Sequence, residues 1–126
     1  TTVLFTGDLN DKVGTVLSSD PRMRSDFLKM PHHGARGIAP NEFFDQVDPD
    51  YVVVPGPKWI WCGERGAQAR NWVEQKQLPV WINGIDGNIK VDFFDDRIVV
   101  TPEFDSDECK LRAFGRMEIW LKNNEI

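Results

Sequence analysis

Only two histidines and two cysteines occur among the 126 residues, and no apolar run approaches the ~20 residues needed to cross a bilayer. The first residues also lack the charged-then-apolar pattern of a secretory signal, so a soluble, cytoplasmic protein with no membrane segment is expected. Basic charge is in deficit, with 15 Lys and Arg against 20 Asp and Glu and a net charge of -5. Nucleic-acid binding through counterion release is therefore not indicated by charge. Cys62 and Cys109 are too few for a disulfide framework and too far apart for a zinc knuckle, which leaves two reduced thiols as the expectation. No Gly-x-Ser-x-Gly elbow is present, and this ranks a nucleophilic site below a metal-dependent one. Internal repeats and low-complexity segments are absent too.

What the chain does have is 40% hydrophobic residues and five tryptophans, enough for one globular domain with a modest core. Val3 to Thr6 is a continuous apolar run closed by Gly7, the pattern of a strand buried on both faces. Val13, Val16 and Leu17 have helical spacing after Asn10 and Asp11, either of which suits a cap. A strand over Phe27 to Met30 and a helix with Phe43, Phe44 and Val47 on one face come next. Tyr51 to Val54, bounded by Pro55-Gly56-Pro57, reads as a central strand. An amphipathic helix over Arg65 to Gln77 precedes a strand at Val80 to Ile82. Asp86-Gly87 reads as a two-residue turn into a strand with Ile89, Val91 and Phe93 alternating with Lys90 and Asp92, and a second turn at Asp95-Asp96 leads to Ile98-Val99-Val100. The acidic run Glu103 to Glu108 reads as solvated, and Leu111 to Leu121 fits either a strand or a helix.

This order predicts an α/β fold with a mixed sheet, helices on one face and a C-terminal β-hairpin. Its strand ends gather Asp8, from Thr6-Gly7-Asp8, and His32 and His33, from Pro31-His32-His33-Gly34, on the rim where open α/β sheets bind ligands. Paired imidazoles and a carboxylate suit a metal or acid/base site. Each feature also has a plainer reading. The histidines fit a structural turn with one ring bonded to backbone and the other in solvent. Asp8 fits a strand-ending turn residue, and Trp59 and Trp61 fit either an aromatic lip or packing.

Leu4-Phe5-Thr6-Gly7-Asp8 followed by Phe27-Leu28-Lys29-Met30-Pro31-His32-His33-Gly34 resembles the metallo-β-lactamase fold, in its ComEC-like branch. The likeness continues through Pro49 to Val54, the helix Arg65 to Gln77 and Asp86-Gly87-Asn88-Ile89, covering roughly residues 2–101. The resemblance implies one layered half of an αβ/βα sandwich over residues 1–101; it leaves 102–126, an acidic linker and tail by its charge, unexplained. It also implies metal-ligand roles for Asp8 and for His32 or His33, with zinc or another divalent metal as the cofactor.

Two departures limit that implication. The family's His-x-His-x-Asp-His segment is missing, and Lys58 to Glu64, at the place of its Gly-His-Pro loop, has no histidine, leaving Glu64 and Cys62 as the substitute donors. A catalytic zinc centre takes three protein ligands plus water, and a two-metal site needs more. The expectation is thus a half-domain with an incomplete metal site, not catalytic as an isolated chain and acting as an oligomeric or interaction protein. The alternative is the C-terminal part of a metal-dependent hydrolase, of phosphoesterase or nuclease type, completed by a partner segment carrying the missing histidines. An uncovered sheet face implies either a homodimer or a partner that supplies the N-terminal half.

Overall fold

The structure, a computed structural model, describes residues 1–110; the strand or helix expected over 111–121 falls outside the described residues. Four strands, β1 (Val3–Phe5), β2 (Phe27–Lys29), β3 (Tyr51–Val54) and β4 (Val80–Ile82), lie side by side in chain order. All three pairings are parallel, so the sheet is not mixed. Crossovers carry α1 (Asp11–Leu17), α2 (Asn41–Val47), α3 (Lys58–Cys62) and α4 (Ala67–Lys76), and α5 (Asn83–Asp86) follows β4. A separate antiparallel pair, β5 (Ile89–Phe93) and β6 (Ile98–Pro102), completes the described fold.

Alternation along the strands sorts the two sheet faces. Leu28, Val52, Val54, Val80 and Ile82 join Phe43, Phe44, Val47, Ala69, Trp72 and Val73 in one buried cluster between sheet and helices. On the other face, Phe27 meets Phe93 of the hairpin edge-to-face at 5.2 Å, and Tyr51 stacks on Trp81. The hairpin covers this face only in part. β1 is an edge strand whose Phe5 is 70% exposed, contrary to the reading of a strand buried on both faces. An apolar run is equally compatible with an edge strand that has one side chain exposed.

Asn10 caps α1 through Val13 N–H, as its sequence position suggests. Val13 and Val16 nevertheless face solvent, and the buried residue of α1 is Gly14, where a Cβ would collide with Ala39. Close backbone approach at Gly14, together with half-buried Leu17 against the core, seats this helix. The Asp95-Asp96 turn joins β5 to β6 as expected, closed by the Phe94 N–H on the Arg97 carbonyl. Asp86-Gly87 does not make a hairpin. Asp86 ends α5, and Gly87, at φ +74°, releases the chain toward β5.

Cys62 and Cys109 are joined in a disulfide, which overturns the expectation of two reduced thiols. Chain separation, the basis of that expectation, does not limit distance in space: their Cα atoms lie 5.4 Å apart. Most of 103–108 is exposed, yet the segment is anchored by Phe104 N–H on the Asp86 carbonyl and Glu103 N–H on the Asn88 carbonyl. Lys110 ends it, buried on Asp86 at 2.6 Å.

Candidate functional site

The C-terminal rim of the sheet is drawn together by side-chain and backbone bonds from each strand end. Thr6 Oγ1 donates to the Lys29 carbonyl at 2.6 Å, tying β1 to β2, and Met30 N–H donates to Val53 at 2.8 Å, tying β2 to β3. Gly7, at φ +55°, turns the chain after Thr6 and presents Asp8 at the surface. Pro31–Gly34 then forms a kinked turn in which His32 has φ 49° and His33 has φ 57°. Left-handed backbone costs non-glycine residues roughly 1–2 kcal/mol each. It persists where the surroundings over-determine it.

Those surroundings are specific. Gly34, also left-handed at φ +75°, lies where a Cβ would press on Val54 at 3.1 Å and touch Trp61 and Ala69. His32 Nε2–H donates to the Asp8 carbonyl at 2.8 Å, and His33 Nδ1–H donates to the Pro55 carbonyl at 2.6 Å. A carbonyl only accepts, so both tautomers are set: the remaining lone pair is on Nδ1 of His32 and on Nε2 of His33. The plain reading, one ring bonded to backbone and the other facing solvent, is met in part: His33 is exposed, but both rings bond backbone carbonyls.

Beneath His33, Pro55-Gly56-Pro57 is held by Gly56 N–H on Asn83 Oδ1 at 2.7 Å and Gly84 N–H on the Gly56 carbonyl at 3.0 Å. A Cβ at Gly56 would lie 2.7 Å from the His33 carbonyl oxygen. The turn therefore rests on a glycine floor. Neither Asn83 nor Pro55 was singled out from the sequence as part of the site. Pro-Gly-Pro straight after a central strand was the available signal.

Asp8 and His32 are brought together, but through the Asp8 backbone rather than its carboxylate. Cys62 is withdrawn from the donor set by its disulfide, because a metal ligand must be a thiolate. Glu64 is exposed in the turn Glu64–Gly66. Among the described residues, no three His, Cys, Asp or Glu side chains form a group that could hold a metal ion. The tryptophans divide: Trp61 is buried, donating to the Cys109 carbonyl at 2.7 Å, while Trp59 is 64% exposed beneath the Arg65 guanidinium.

On the far face of the sheet an apolar groove of about 440 Å³ runs between strands and hairpin, lined by Phe5, Phe27, Val53, Ile89, Val91 and Phe93 among others. Among the described residues no helix is long and apolar enough to cross a membrane. Compared with known protein families, curated proteins and solved structures, the chain matches none.

Proposed function

We propose that this chain is the C-terminal half of a metal-dependent hydrolase centre of metallo-β-lactamase type, incomplete and not catalytic by itself, and completed by a partner segment that carries the missing histidines. The observation that carries this reading is the pair of left-handed histidines at one strand end, each with one N–H spent on a backbone carbonyl and one lone pair left over. An Nδ1–H bonded to a carbonyl is the usual outer-shell support of a metal-bound imidazole. Nitrogen and carboxylate donors suit zinc or another divalent ion, so His33, His32 and Asp8 fit part of a ligand set.

A bound ion of this kind would polarise a phosphoryl or similar oxygen and supply hydroxide near neutral pH. The chain's own share is positioning. Pro55 orients His33 and excludes the Nδ1-metallated tautomer, the Asp8 carbonyl does the equivalent for His32, and Gly7 sets where the Asp8 carboxylate emerges. The half-sandwich architecture belongs to the same proposal, and the groove with the 70% exposed Phe5 supports a covering layer on that sheet face.

That apolar face also favours a second reading, a silent remnant of the fold acting as a homodimer or interaction protein. Hydrolysis of a chromogenic phosphodiester separates the two. The protein purified with its native flanking sequence and partners is expected to be active with added zinc or manganese, and the isolated 126-residue chain inactive. Inactivity of both preparations, with the isolated chain dimeric by light scattering, would favour the second.

A further inference from the structure

We propose that Cys62 and Cys109 form a reversible thiol–disulfide modification site whose bond clamps segment 103–110 and, through it, the histidine turn. Both cysteines are half-buried, and they join the end of α3 to the segment that carries Glu103, Phe104 and Lys110 onto Asn88 and Asp86. Cys109 itself has φ 55°, a left-handed conformation held by what surrounds it.

Two routes lead from the clamp to the turn. On one, the Cys109 carbonyl accepts the indole N–H of Trp61, whose buried ring lies beside Gly34, the last residue of the turn, 3.6 Å from where a Cβ there would stand. On the other, Lys110 donates to both oxygens of Asp86, and Oδ2 of that carboxylate also accepts Ile82 N–H at 2.8 Å. The next residue, Asn83, holds Gly56 beneath His33. Opening the disulfide removes the covalent tether shared by both routes.

The chemistry balances with a small disulfide such as oxidised glutathione as the oxidant. One cysteine thiolate attacks the reagent's sulfur and expels a glutathione thiolate; the other cysteine thiolate then attacks the mixed disulfide and expels the second. Two protein thiols lose two electrons and two protons, and the reagent becomes two thiols. Reduced glutathione reverses each step.

Nuclear magnetic resonance of the whole chain in oxidised and then reduced glutathione buffers tests the proposal. On reduction, exchange of the Trp61 indole proton is expected to quicken at least tenfold and the His33 ring signals to shift, while the amides of Leu28 and Val52 stay protected. Reoxidation should restore both. Unchanged Trp61 and His33 signals would overturn the proposal. So would loss of protection at Leu28 and Val52, because the bond would then be a global staple. The Cys62→Ser, Cys109→Ser double variant should resemble the reduced state and ignore glutathione; a variant that still responds, or that unfolds, counts against the clamp. None of these readouts needs a metal, so this inference and the proposed function fail separately.

Discussion

The backbone carbonyl of Pro55 accepts the Nδ1–H of His33 at 2.6 Å, joining the end of β3 to the turn after β2. This bond fixes which nitrogen of His33 faces outward. It depends on Gly56, because a Cβ there would sit 2.7 Å from the His33 carbonyl oxygen and 3.0 Å from its Cβ.

Gly56→Ala should therefore push the turn off the strand end. Overpacking of this kind costs about 1–3 kcal/mol, read as a lower urea midpoint with an unchanged slope. The same variant should lose metal affinity in the completed protein, whereas a purely structural turn would lose stability alone.

Asp86 and Lys110 form a buried ion pair, and Asp86 also accepts the Ile82 N–H. Asp86→Ala takes the carboxylate away from the buried Lys110 ammonium, and breaking such a pair costs about 3–5 kcal/mol. The double variant Asp86→Asn, Lys110→Met should cost less than Asp86→Ala alone. Equal losses in denaturant titration would show that the charge pairing is unimportant.

Phe44 is fully buried, with its ring 5.5 Å from Phe43 and 5.3 Å from Trp72. Phe44→Ala leaves a cavity where α2 and α4 meet the sheet, at a cost of about 3–5 kcal/mol. A thermal melt within a degree or two of the parent would contradict that packing.

Stability should also decline in acid. Arg22, through its side chain and its backbone N–H, holds the Asp20 carboxyl at about 2, below the ordinary 3.8. The Thr2 backbone N–H is the largest influence lowering Asp26. Both folded values lie below the unfolded ones, so their contribution is complete above the ordinary carboxylate range and fades as pH falls from about 4 toward about 2. Melts at pH 6 and pH 2.5 should differ less for the Asp20→Asn, Asp26→Asn variant than for the parent.

Much of this fold was legible in the residues that make it. Tyr51 to Val54 reads as an inner strand because its β-branched run is bounded by prolines, and Phe43, Phe44 and Val47 share a buried face as their spacing implies. The edge position of β1 was not legible, because an apolar tripeptide does not say which side of it is covered. Asp86-Gly87 misled because glycine ends a helical turn as readily as it makes a hairpin. The Cys62–Cys109 bond escaped for another reason: only the tertiary path of 103–110 brings the two residues together. At the candidate site, Asp8, His32 and His33 were visible as residue types, while the tautomers became legible only with the Pro55 and Asp8 carbonyls in place.

Metal content tests the central claim most directly, measured by elemental analysis after dialysis on the protein carrying its native flanks and partners, on its His33→Ala variant, and on the isolated chain. Stoichiometric zinc, manganese or iron is expected in the first, most of it lost in the second, and weak or sub-stoichiometric binding in the third. Full metal retention by His33→Ala, or tight stoichiometric binding by the isolated chain, would contradict the account.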